Sequence, residues 1–131
     1  PALDAACEGP SFDANGAHYF LTREAVAWYY AHYLGEDRAQ LSNPRLSPMA
    51  ADDLRDAPPA YVVVAGFDPL YDEGVAYARR FQEAGVTSEL VRYPSLVHGF
   101  ALMTGASAAA LAATDEMAVT LGRLLRSLRD G

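Results

Sequence analysis

Tyr61-Val62-Val63-Val64-Ala65-Gly66-Phe67-Asp68-Pro69-Leu70-Tyr71-Asp72-Glu73-Gly74 is the stretch from which the architecture can be read. Its first six residues form a continuous apolar run rather than an alternating one, which predicts a strand covered on both faces, as in a parallel sheet. Asp68 stands at the C-terminal end of that run, directly before Pro69. Asp72 and Glu73 fall where the first turn of a helix gains from negative charge. Tyr77, Phe81 and Ala84 mark that helix's buried face, and Gly85 ends it. A second strand is predicted over 88–93, stopped by Pro94. Strand, helix and strand in this order specify a right-handed βαβ unit and an α/β fold.

Working outward, residues 1–17 are rich in Gly, Pro, Asp and Asn without a period, and read as loop. Thr22 is a candidate N-cap for a helix over 23–34. Val26, Tyr29, Tyr30 and Tyr33 fall at i, i+3, i+4 and i+7 as its packing face, and Gly35 closes it. Residues 36–59 carry Pro44, Pro48, Pro58 and Pro59, which predicts loop with at most a short helical turn. A last helix is expected over 108–128, with Leu111, Thr114, Ala118, Leu121, Leu125 and Leu128 along one side. The whole of 1–131 is read as one partial domain, a βαβα unit preceded by an amphipathic helix. Two parallel strands leave at least one edge open, and the apolar run asks for neighbours that these residues do not supply.

The composition, 51% apolar and 21% charged, is that of a globular protein. A net charge of −7, with ten arginines and no lysine, argues against nucleic acid or an anionic membrane as partner. No apolar run is long enough to span a bilayer, and no basic-then-apolar leader opens the sequence, so a cytoplasmic location is the expectation. Cys7 is the single cysteine and reads as a bystander. No Cys, His and Asp cluster has metal-ligand spacing and no glycine loop is built to cradle phosphate, so no metal or cofactor is expected.

The chemistry gathers at the two strand ends. Ligands and catalytic groups in open α/β sheets collect at the C-terminal ends of the strands, where Asp68 stands. His98 follows the second strand in Leu96-Val97-His98-Gly99-Phe100, on a glycine-flanked loop that lets its ring move. An acid and then a histidine, at the same end of adjacent parallel strands, would supply two members of a hydrolytic triad. His18 and His32 have no such partner and read as surface or packing residues. The third member, a serine on a G-x-S-x-G turn, is absent: of Ser11, Ser42, Ser47, Ser88, Ser95, Ser107 and Ser127, none sits in that motif. Ser107 comes closest, but it lacks the second glycine, follows no strand and lies after the histidine. Leu70, Val97 and Phe100 flank the two loops and are the expected pocket-lining residues.

Phe67-Asp68-Pro69-Leu70-Tyr71-Asp72-Glu73-Gly74, Tyr77-Ala78, Ala84-Gly85-Val86, Tyr93-Pro94 and His98-Gly99-Phe100 together resemble the C-terminal part of the hormone-sensitive-lipase-like esterases, which are α/β-hydrolases. Leu21-Thr22-Arg23-Glu24, Tyr33-Leu34-Gly35, Asn43-Pro44, Ser47-Pro48 and Pro58-Pro59-Ala60 follow that family's order upstream. The resemblance implies that Asp68 is a triad acid, His98 the triad base and Asp72 a helix-capping acid. It implies a cofactor-free carboxylester hydrolase for short or medium acyl esters, and a homodimer through an exposed strand edge. These residues would be its acid and histidine half, with the nucleophile and oxyanion-hole glycines outside them. The rival expectation is a non-catalytic assembly module built on the same βαβ unit, and a further one is amide hydrolysis by the same two groups.

Overall fold

The computed structural model describes residues 2–35 and 38–129, which form two compact units, the first ending at His98 and the second starting at Gly99. In the first unit the order is α1 (Pro10–Asn15), α2 (Arg23–Leu34), β1 (Ala60–Phe67), α3 (Tyr71–Glu83) and β2 (Ser88–Val97). Short 3₁₀ turns at Arg38–Ser42 and Pro48–Ala50 lie in the predicted loop, whose first two residues, 36 and 37, are outside the described range.

The two strands pair in parallel, in register from Ala60 opposite Ser88 to Ala65 opposite Tyr93. The next pair is Phe67 opposite Val97, so two steps on β1 match four on β2. Pro94 sits in this bulge. It does not stop the strand, as the sequence suggested, because a bulge asks no ladder hydrogen bond of it. Gly66 is the other half of the arrangement: a Cβ there would lie 2.2 Å from the Pro94 carbonyl oxygen. Only a residue without a side chain lets the two backbones come this close.

α3 is seated on β1 through Gly74, where a Cβ would meet Val64 Cγ1 at 2.6 Å. One buried cluster joins Leu54, Phe81 and Val86, with Tyr77 and Ala60 packed against it. Another joins Phe12, Val26 and Leu70, with Ala2, Cys7, Leu21 and Tyr30 around it. β1 itself departs from expectation. Val64 and Ala65 are buried, but Tyr61, Val62 and Val63 remain half-buried. The sheet has two strands among the described residues, so one edge of β1 has no strand beside it. A groove of about 320 Å³ follows β1 from Ala60 to Val64 and reaches Asp68.

Residues 10–15, within the stretch whose composition predicts loop, form the helix α1. Its N-terminal turn is held from a distance: Asp72 Oδ2 accepts from Ser11 N at 2.7 Å, and Ser11 Oγ donates to the Pro69 carbonyl at 2.6 Å. Asp72 is therefore a capping acid, but for α1 and not for its own helix. Glu73, its neighbour, accepts from Leu3 N at 2.6 Å. Leu3 O in turn accepts from Met49 N at 2.9 Å, Ala5 N donates to Ser47 Oγ at 2.6 Å, and Arg23 Nη1 donates to Cys7 O at 2.8 Å. These bonds pin residues 3–7 as a strap over the first unit.

Burial pushes the Glu73 carboxyl up to about 7 from its ordinary 4.5, with the nearby Asp4 charge adding to the shift. A carboxyl raised in this way binds a proton on folding between those two values. Its contribution is full below the lower one and is lost as pH rises through the upper. Glu73→Gln keeps the acceptor for Leu3 and has no charge to bury. In the intact protein it is expected to flatten the melting-temperature profile between about pH 5 and pH 8, and to raise the melting temperature at the alkaline end. A variant that keeps the wild-type slope would contradict this assignment.

α2 is capped as expected, with Thr22 Oγ1 accepting from Ala25 N at 3.1 Å and Gly35 ending it at φ 59°. Its predicted packing face is split. Val26 is buried and Tyr30 half-buried, whereas Tyr29 and Tyr33 are 60% and 79% exposed.

In the second unit Gly99, at φ 71°, leads into a 3₁₀ turn at Phe100–Leu102, and α4 runs Ala108–Arg129. Ser107 Oγ accepts from Ala110 N at 3.2 Å, the bond of a helix-starting serine. The predicted apolar stripe is not the buried side. Ala110 and Ala113 are buried, while Leu111, Leu121, Leu125 and Leu128 are each close to half exposed or more. No helix among the described residues is long and apolar enough to cross a membrane.

Candidate active site

The bulge brings the site together. Because Phe67 and Val97 are paired, the next residue on each strand, Asp68 and His98, leaves the sheet side by side. His98 Nδ1 donates to Asp68 Oδ2 at 2.8 Å. A carboxylate only accepts, so this bond assigns the proton to Nδ1 and leaves Nε2 as the free acceptor of the ring. The other carboxylate oxygen, Oδ1, accepts from Leu70 N at 2.8 Å, in an Asx turn that fixes the acid's orientation. The Asp68 side chain is 14% exposed and that of His98 30%, so the acid is shielded while the imidazole keeps an open side.

Asn15 was not anticipated from the sequence. Its Nδ2 donates to the Gly66 carbonyl at 3.2 Å and lies 3.5 Å from the Asp68 carbonyl, tying α1 to the loop that carries the acid. A polar residue inside a stretch read as loop gave no signal for that role.

His98 opens onto a groove of about 500 Å³. From α2 come Val26, Tyr29, Tyr30 and Tyr33. From the loops come Ala2, Leu21, Arg45 and Leu46, and Leu70 stands with His98 at the strand ends. Of the expected lining residues, Leu70 is therefore present. Val97, paired with Phe67 at the end of the ladder, is not among the lining residues. Phe100 belongs to the second unit and is buried. The tyrosines of α2 were legible only as a helical stripe, a pattern that serves a packing face equally well.

No serine or cysteine lines this groove among the described residues. Ser47 and Ser11 are engaged with backbone groups as described above, and Ser88 Oγ donates to the Ala78 carbonyl at 3.2 Å. Cys7 is ill suited to nucleophilic work, because burial, with Glu73 and Asp4 nearby, pushes its thiol up to about 11. No group of three or more His, Cys, Asp or Glu side chains among the described residues could hold a metal ion.

The sequence profile described as alpha/beta hydrolase fold matches residues 1–102. The chain belongs to that family. Among the α/β-hydrolases it is 35% identical to the carboxylic ester hydrolase LipN of Mycobacterium tuberculosis, over 89% of this chain and 31% of that protein. It is 37% identical to the ethyl acetate hydrolase of Pseudomonas putida, over 79% of this chain and 32% of that protein. Among solved structures, a serine-to-alanine mutant of LAE6, an α/β-hydrolase enzyme from the metagenome of Lake Arreo, superposes with a TM-score of 0.88. It is 42% identical and covers 95% of this chain, while the chain covers 39% of it. The chain thus spans about a third of the length of the two curated relatives named here, both of them ester hydrolases.

Proposed function

We propose that these residues are the acid and histidine portion of a serine carboxylester hydrolase. Asp68 is the orienting acid and His98 the general base, and the nucleophilic serine lies in polypeptide beyond these 131 residues. The observation that carries this reading is the 2.8 Å bond from His98 Nδ1 to Asp68 Oδ2 at the ends of two adjacent parallel strands. It leaves Nε2 directed away from the acid, as a base must be to take a proton.

The reaction is a two-step acyl transfer. His98 Nε2 takes the serine proton as the serine oxygen bonds to the ester carbonyl carbon. The carbon–alkoxy bond then breaks, and the imidazolium returns its proton to the departing alcohol. Water repeats the sequence on the acyl-enzyme and releases the acid. Asp68 holds the productive tautomer and stabilises the imidazolium throughout. The esterase names of the relatives and the apolar groove beside His98 support esters of short or medium acyl chains as substrates.

The test is hydrolysis of a series of p-nitrophenyl esters, from acetate to decanoate, by the intact protein in the presence of a chelator. Metal-independent turnover, highest for the short or medium members, is expected. An intact, folded protein that hydrolyses none of them would overturn the assignment.

A second reading, an assembly module or homodimer formed through a sheet edge, draws on one observation. β1 has an open edge with half-buried Tyr61, Val62 and Val63. Folded, ester-inactive oligomers of the intact protein would favour it.

A further inference from the structure

We propose that the groove beside His98 selects esters that carry an aromatic ring and a free carboxylate, with Arg45 as the residue that recognises the carboxylate. The inference rests on the ester-hydrolase reading and names the substrate class of that same site.

Three observations carry it. The first is the charge of the groove. Its lining holds no acidic side chain, and its only basic groups are Arg45 and His98. His98 is already bonded to Asp68, which leaves the guanidinium as the one permanent charge among the described lining residues. The second is how Arg45 is held. Its backbone N–H donates to Asn43 Oδ1 at 3.0 Å, and Leu46 N and Ser47 N both donate to the Asn43 carbonyl at 2.8 Å. The turn is tied while the side chain is spent on nothing: no hydrogen bond or ion pair engages the guanidinium among the described residues. A planar fork of donors without a partner among the described residues, in a groove whose lining carries no acidic side chain, is matched by a carboxylate.

The third observation is the wall of α2. Tyr29 and Tyr33 line the groove and remain largely exposed, and Trp28 stacks on His32 outside it. Large apolar faces turned toward an open groove suit a flat ring, which gains from offset or edge contacts with tyrosine. Ring and charge together describe monoesters of aromatic dicarboxylic acids better than simple aliphatic esters.

The experiment compares monoethyl terephthalate with its neutral isostere, ethyl 4-carbamoylbenzoate, and with ethyl hydrogen adipate, using the intact protein and its Arg45→Ala and Arg45→Lys variants. Arg45 is exposed, so its pair with a carboxylate is screened and its effect is moderate. Arg45→Ala is expected to lower kcat/KM for monoethyl terephthalate about three- to tenfold through KM, and to lower that for the carbamoyl ester by a clearly smaller factor. Arg45→Lys is expected to restore part of the loss. Added salt should narrow the wild-type preference and leave the Arg45→Ala enzyme unaffected. An adipate monoester handled as well as the terephthalate would overturn the aromatic part. Equal effects of Arg45→Ala on the charged and neutral aromatic esters would overturn the carboxylate part, with the ester-hydrolase reading intact. Failure to hydrolyse any ester, charged or neutral, would overturn both readings together.

Discussion

Replacing His98 by alanine in the intact protein is expected to lower kcat by about three to four orders of magnitude, with little change in KM. The reason lies in the role proposed for the imidazole: carrying a proton in each of the two acyl-transfer steps, it would act on the transition states, and its loss would spare ground-state binding. Asp68→Asn tests the other half of the pair. The amide preserves the shape of the Asx turn, since its oxygen can still accept from Leu70 N. It cannot stabilise an imidazolium, and it no longer dictates that Nδ1 carries the proton. A loss of about two to four orders of magnitude is expected. The two variants together should cost little more than the worse of them, because the groups act as one unit. Steady-state kinetics with p-nitrophenyl butyrate, alongside circular dichroism to establish folding, makes the comparison. A folded His98→Ala protein that keeps more than a tenth of the activity would remove His98 from the mechanism.

Gly66→Ala is expected to be the most damaging of the small substitutions for stability. The added methyl would meet the carbonyl oxygen, carbonyl carbon and Cα of Pro94, all of them backbone atoms, at 2.2 to 2.7 Å. A flexible side chain could swing away, but these atoms cannot, so the strands must separate at the bulge. A cost of about 2–4 kcal/mol is expected for an overpacked backbone contact of this kind. The same separation would pull Asp68 from His98, so activity should fall along with stability. Gly105→Ala is the control, because nothing lies within 4 Å of a Cβ there. Denaturant titration of the two variants should give a large loss for the first and little change for the second. Equal midpoints would mean that the close approach at Gly66 is relieved at no cost.

What the sequence announced was mostly local. The apolar run of β1, the acidic first turn of α3, and the Thr22 and Gly35 that bound α2 each depend on residues near them in the chain. Asp68 and His98 were legible because a parallel pair of strands brings its C-terminal ends together whatever the details of the register. The unread features depend on distant partners. α1 is held by Asp72, 61 positions away from Ser11, and nothing in its own residues announces that bond. Pro94 stops an ordinary strand, and only its approach to Gly66 makes a bulge of it. The tyrosines of α2 and the leucines of α4 show the same periodicity in the sequence whether their surroundings are protein or solvent, so exposure was not legible there. The role proposed for Arg45 had no signal at all, since it depends on which side chains the fold gathers around the groove and on the absence of acids among its lining residues.

The central claim is that Asp68 and His98 serve a serine that lies outside these 131 residues. Labelling the intact protein with a fluorophosphonate probe, followed by digestion and mass mapping of the adduct, tests it most directly. The account expects one phosphonylated serine outside this sequence, with labelling that slows sharply in the His98→Ala variant. An adduct on any of the seven serines within it, or labelling indifferent to His98, would contradict the account.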